Sequence, residues 1–242
     1  MELIRKVLSP AVRLWLRSQV DSAQSLDFRL EGRDGQLLSG QIPQVWVRGD
    51  QVVYQGLCLS QLDITGQGIH INLKQILRGK PLQLLEPIRV QATLRMADGD
   101  MNQCLQAPLL AKALTEVLDQ WLQPLEAWVE PGGGEPGDPA LGSHWQEVRM
   151  EFLADALHLW ATLIRSGGVD PLRVELRSPV TLQDPHTIIL APLQWITSDA
   201  EATAALGSLE HLVLNLGQDV AFDRLTLEPG TIICQGDLLI RP

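Results

Sequence analysis

The stretch VVYQGLCLSQLDITGQGIHINL, from Val52 to Leu73, alternates apolar and polar residues with the period of a β-strand. Val53, Leu57 and Leu59 share one parity, and Leu62 and Ile64 share the other. Past the Gly-Gln-Gly at 66–68, Ile69, Ile71 and Leu73 point one way while His70 and Asn72 point the other. A run this long and this regular commits the chain to a sheet with one apolar face.

The same rhythm surrounds it. LDFRLEG, QLLSGQIPQVWVRG, QVVYQGLCLSQLDIT and GIHINL succeed one another across 26–96, with GRDGQ, RGDQ and GQG as turn signals. LKQILRGKP (73–81) reads as a short connector with a helical turn, capped by Gly79 and stopped by Pro81. PIRVQATLRM (87–96) is a further strand, with Ile88, Val90, Ala92, Leu94 and Met96 on one face and Arg89, Gln91 and Arg95 on the other. Chains of hairpins like these are antiparallel.

The second half follows similar logic in WQEVRMEF, ALHLWATL, PLRVELRSPVTL and HTIILAPLQW. A helix or loop is expected over 199–215. The chain then closes with the hairpin FDRLTL, Glu228-Pro229-Gly230, TIICQGDLLIRP, whose Pro-Gly pair favours a type II turn. Ile232, Cys234, Leu238 and Ile240 fall on one parity, with Gly236 between them. The patterns around Tyr54, Phe152 and Phe222 echo one another, a weak hint of two related halves.

Helical periodicity occurs in two places. Residues 2–20 place Leu3, Val7, Leu8, Ala11, Leu14 and Trp15 on an apolar stripe, with Arg5, Lys6, Arg13 and Arg17 elsewhere around the helix. Pro10 either kinks this helix or resets its start, with Ser9 as N-cap. Such a helix either lies on anionic lipid through Arg5, Lys6, Arg13, Trp15 and Arg17 or packs on the body with its arginines solvated. APLLAKALTEVLDQWLQPL carries a wide stripe of Leu109, Leu110, Ala113, Leu114, Val117, Leu118 and Trp121, suited to a helix inside a curved sheet. The segment 129–143, VEPGGGEPGDPALGS, is a flexible loop between halves. It is glycine-rich without the Gly-Lys-Ser/Thr of a phosphate loop.

Composition excludes several classes. A net charge of −10, with no basic cluster beyond the first helix, argues against nucleic acid. The three cysteines, Cys58, Cys104 and Cys234, are far apart, so neither a full disulfide set nor a metal spacing is present. Cys58 and Cys234 sit in apolar strand runs and read as buried thiols in a reducing compartment. The first 20 residues lack the pattern of a secretory signal, and no apolar window is long enough to span a bilayer. The expected location is cytoplasmic, peripheral on the inner face of a membrane.

Reactive constellations are missing too. The five histidines, His70, His144, His158, His186 and His211, form no zinc motif. No nucleophile elbow or dinucleotide fingerprint occurs. Asp98 and Asp100 begin like a calcium loop, but Cys104, Leu105 and Ala107 stand where ligands should follow, so a helix cap is the better reading. Asp184 and His186 flank a proline as a turn and have no nucleophile with them. The sequence thus implies no enzyme, no cofactor and no metal, leaving convergent residues from remote segments as the one route to catalysis.

LSPAVRLWLRSQV, LLSGQIPQVWVRGDQVVYQGLCLSQLDITGQGIHINL, RGKPLQLLEPIRVQATLRMADGDMNQCL and LTLEPGTIICQGDLLIRP together resemble the LmeA-like phospholipid-binding family, in particular its cyanobacterial branch without a signal peptide. The resemblance covers nearly the whole chain and rests on strand, turn and glycine patterns. It implies a fold like the tubular lipid-binding proteins, with a long curved sheet wrapping a helix around an apolar groove for acyl chains. The expectation is therefore an α+β single domain over 1–242, a strongly curved, mainly antiparallel sheet wrapping long helices. Its implied function is non-catalytic binding, and transfer, of phospholipid or another membrane lipid. Val53, Leu57, Leu59, Leu62, Ile64, Ile69, Ile71, Leu110, Leu114, Val117, Ile232, Cys234, Leu238 and Ile240 would line the groove or, residue by residue, form ordinary core. The alternative is a protein-interaction or assembly factor with the same fold and a filled core.

Overall fold

A computed structural model describes residues 2–105, 144–164, 170–197 and 210–242. Helix α1 (Glu2–Ser18) leads into β1 (Ser22–Glu31), the one-turn α2 (Asp34–Leu38), β2 (Gln41–Tyr54), β3 (Leu57–His70), α3 (Leu73–Ile76), β4 (Ile88–Ala97) and α4 (Asp98–Cys104). Beyond residue 143 come β5 (His144–Phe152), β6 (Leu157–Ile164), β7 (Leu172–Ser178), β8 (Val180–Asp184), β9 (Thr187–Leu190), β10 (Gln194–Thr197), β11 (Leu212–Asn215), β12 (Val220–Glu228) and β13 (Thr231–Ile240).

Three antiparallel sheets result. The largest has the order β1-β2-β3-β4-β13-β12, so the C-terminal hairpin returns to complete the sheet begun by the first hundred residues. The others are the four-stranded β10-β7-β6-β5 and the three-stranded β11-β9-β8.

This corrects the expected fold class. Among the described residues the protein is mostly antiparallel strand, and its helices are α1 of 17 residues and three of 5, 4 and 7 residues. None of them is a long helix wrapped by a sheet. The helix expected over 107–125, with Leu110, Leu114 and Val117, lies outside the described residues, as do loop 129–143 and residues 199–209. Residues 212–215, expected in a helix or loop, form β11 against β9.

Strand boundaries also differ from the turn signals. RGDQ lies inside β2 and GQG inside β3, each strand running 14 residues. The turn between them is Gln55-Gly56, both at positive φ (50° and 79°), the conformation a two-residue hairpin needs to match strand twist. The sequence hides it because Gln is an uncommon residue there. GRDGQ instead leads into α2, with the backbone N–H of the cap residue Arg33 donating to Gln36 Oε1 at 3.1 Å. Gly79 and Gly230 do take the positive φ (78° each) that a helix stop and a type II turn require.

The parity changes noted in β3 have a structural cause. Pairing of β2 with β3 runs in constant register, but Gln51/Ser60 and Pro43/Gly68 are left out of it, and β1 leaves out Gln24 opposite Gln51. At each of these creases both strands step by one residue, so the buried face stays the same while parity flips. Leu59, Leu62 and Ile69 are accordingly all buried.

The core divides along the sheets. Under the large sheet, Leu8 and Val12 of α1, Leu37 of α2 and Leu73, Ile76, Leu82 and Leu84 of the β3–β4 connection pack on Ile42, Val45, Val47, Ile69, Ile88 and Val90. A second cluster joins Val52, Leu59, Leu62 and Met96. The four-stranded sheet buries Leu159, Ala161, Leu163, Leu172, Val174 and Leu176.

Candidate functional site

Cross-strand partners share a face, and the register of the large sheet assembles three rows. One runs Leu26, Gly49, Leu62, Leu94, Cys234; the next Phe28, Val47, Ile64, Ala92, Gly236; the third Leu30, Val45, Gly66, Val90, Leu238. The rows contain methyl, methylene and ring groups, one thiol and no acid or base. Each also holds one glycine. A Cβ on Gly66 would stand 3.1 to 3.2 Å from Ile69, Val45 and Val90, so the neighbouring side chains already close over that spot.

Cover over this face is uneven. On β4, Ile88, Val90, Ala92 and Met96 are buried and Leu94 is half-buried, whereas on the same face of β13 Gly236 is buried and Ile232, Cys234, Leu238 and Ile240 are half-buried. The face is therefore less covered along β13 than along β4, as it also is along the edge strand β1, where Leu26, Phe28 and Leu30 are half-buried. Burial still pushes the Cys234 thiol up to about 11, so it is protonated and unreactive at neutral pH.

The structure brings most sequence-derived lining positions together here. Leu57, Leu59, Leu62 and Ile64 belong to the part of the face near α4, and Ile69 and Ile71 to the part under α1. Among the described positions Val53 is the exception. The tight turn pairs it with Cys58, so it faces away from Leu57 and Leu59, and fully buried Val52 takes the inward place opposite Leu59. Counting parity through an unseen turn misplaced it by one residue.

Helix α1 turns part of its apolar stripe to the body, while Leu14 is 75% exposed. Leu8 and Val12 are buried, Trp15 packs partly on the same cluster, and the Arg13 guanidinium lies 6.0 Å from the centroid of Phe28. The helix continues through Pro10 rather than restarting there. Arg13 and Arg17 are exposed, and the side chains of Arg5 and Lys6 lie outside the described residues.

Sequence reasoning missed a clamp at α4. Cys58 and Cys104 form a disulfide, closing a separation of 46 residues and fixing α4 to the start of β3. This overturns the buried thiol expected at Cys58, and a disulfide counts against the reducing compartment expected above. The hairpin topology brings the two together, which spacing alone does not show. Asn102 then bonds both backbone groups of Met150, accepting from its N–H at 2.8 Å and donating to its carbonyl at 2.7 Å. Asp98 Oδ1 accepts the Phe152 N–H at 2.7 Å, so this carboxylate ties β5 to α4 rather than capping the helix; the cap position is Ala97, with no side-chain bond. Asp100 accepts from Ser60 and Gln51.

The opposite face of the large sheet is polar. A cavity of about 940 Å³ crosses it, lined by Trp46, Arg48, Asp63, Thr65, Gln91 and Gln235 among others. Arg48 and Asp63 stand 3.9 Å apart in it, both well exposed. Asp184 and His186 form the expected turn: the carboxylate accepts the His186 backbone N–H at 2.8 Å, which holds Asp184 below the usual carboxylate range. Among the described residues, no three His, Cys, Asp or Glu side chains gather as a metal site, and no helix is long and apolar enough to cross a membrane.

These features define a class: an antiparallel β protein whose large sheet carries an incompletely covered apolar face, with no charged side chain in its rows among the described residues. The sequence narrows the class. The family model for LmeA-like phospholipid-binding proteins matches residues 2–237, and the chain belongs to that family. No curated protein and no solved structure matches the chain.

Proposed function

We propose that the protein binds a phospholipid or another membrane lipid without covalent chemistry, seating acyl chains against the apolar face of the large sheet where it opens along β13, and exchanging them with a membrane at whose surface it works. The carrying observation is the row structure: β2, β3, β4 and β13 present aligned apolar side chains, yet Ile232, Cys234, Leu238 and Ile240 are only half-buried. Each methylene moved from water onto such a face contributes about 0.8 kcal/mol. A tail of ordinary length would therefore be held by burial alone. Family membership supports the same ligand class. Leu110, Leu114 and Val117 belong to this reading as further wall residues.

Native mass spectrometry with organic extraction tests it. Phospholipid near one per chain is expected. A protein that purifies clean, and stays clean after incubation with liposomes, removes lipid carriage. In that case the second reading, an assembly factor, gains from Ile196, Val213 and Leu214, which are exposed on the edge strands β10 and β11.

A further inference from the structure

Two connections meet at one end of the large sheet: 32–40, joining β1 to β2, and 71–87, joining β3 to β4. They touch directly, the Ile71 backbone N–H donating to the Gly40 carbonyl at 2.9 Å. Their inward side chains, Leu37, Leu73, Ile76, Leu82 and Leu84, are core. Their outward side chains include large leucines that the core does not use: Leu38 is 58% exposed, and Leu77 and Leu85 are each 62% exposed. Each of them directly follows a buried core residue, Leu37, Ile76 or Leu84, so the core is served by the neighbour and these leucines are left to the surface.

Charge gives the second, independent observation. Lys74, Arg78 and Lys80 are exposed on the same connection as Leu77 and Leu85, and Arg33 is exposed on the other. The acids among them are Asp34, which has a partner of its own, and Glu86, which is bonded to His70. In a chain of net charge −10 this end is a local excess of cations around protruding apolar side chains. That arrangement fits one kind of partner: an interface with apolar chains below and phosphates above.

We propose that this end of the sheet, and not helix α1, is the surface that docks on an anionic phospholipid bilayer, with Leu77 and Leu85 entering the acyl boundary and Lys74, Arg78 and Lys80 pairing with headgroup phosphates. α1 has committed Leu8 and Val12 to the body and, among its described side chains, leaves one strongly exposed leucine, Leu14, against three at the end of the sheet. The inference rests on the lipid-binding reading for its purpose, though not for its geometry. It places the membrane beside the end of β13, at Leu238 and Ile240, where the apolar face is open.

The test is co-sedimentation of the full chain with phosphatidylcholine vesicles, with and without phosphatidylglycerol, for four proteins: wild type, L77D/L85D, K74E/R78E/K80E and R13E/R17E. Wild type is expected to partition onto anionic vesicles at least about tenfold better than onto neutral ones. Both loop variants should lose at least about tenfold, while R13E/R17E stays near wild type. All the altered side chains are exposed, so circular dichroism should report unchanged folds. Loop variants that bind as tightly as wild type, or loss confined to R13E/R17E, overturn the assignment. So does a wild type indifferent to anionic vesicles. Native mass spectrometry on the same four proteins separates the two ideas: docking without bound lipid sinks the carriage reading alone, and carriage without docking sinks this one alone.

Discussion

The large sheet and the four-stranded sheet are built from the same alternation and end differently. In β6 and β7 every second side chain, from Leu159 and Leu163 to Val174 and Leu176, is buried almost completely. In β13 the equivalent positions stop half-way. One sheet uses its apolar face as core; the other leaves a strip of it available. The difference lies in what is laid over each face, which alternation does not encode.

Breaking the closed region should have the largest effect. Leu176→Ala empties a side chain that is 1% exposed and is expected to cost about 2–5 kcal/mol in denaturant unfolding, with lipid content per folded molecule unchanged. Next comes the clamp that holds α4 to the large sheet. Reduction, or Cys104→Ser, releases a loop of 46 residues' separation and should lower stability by about 2–4 kcal/mol, read as a lower melting temperature with reductant present. An unchanged melt would mean the bond does not form in the folded protein.

Widening a side chain sharpens the comparison instead. Leu62→Trp overfills a buried position and should cost about 1–3 kcal/mol. Leu238→Trp, on the open strip, should cost under about 1 kcal/mol while bound lipid falls sharply by mass spectrometry. Equal costs at both positions would make the strip ordinary core. The smallest effect concerns the thiol of Cys234. With its pKa raised to about 11, alkylation at pH 8 should be slow and should quicken with every step toward pH 10, because only the thiolate reacts. Saturating lipid should slow it further.

Much of the large sheet was legible in the sequence. Ile88, Val90, Ala92, Leu94 and Met96 alternate without interruption on one face, and all but the half-buried Leu94 are buried. The final hairpin's apolar parity, Ile232 through Ile240, matches that of its β4 partners in the register. What failed depends either on a turn without a local signal or on distant chain. Val53 was placed on the wrong face because Gln55-Gly56 does not announce a turn. The Cys58–Cys104 bond and the Asn102 contacts to Met150 join residues 46 and 48 apart, and no local pattern reports them. Helix wrapping came from the wide apolar stripe over 107–125 together with the family resemblance, and the described part of the fold corrects it.

The crease across Gln24, Gln51 and Ser60 has a consequence for how such a chain tolerates insertions and deletions. Losing one of the three residues alone would invert every side chain on one side of the cut relative to its neighbours. Losing all three together would leave the pairing intact and restore plain alternation: Ala23 and Leu26, Gly49 and Val52, Leu59 and Leu62 would each be separated by a single outward residue. The crease thus behaves as a single unit of length written in three places, and a length change there is a matter of agreement between strands rather than of any one of them.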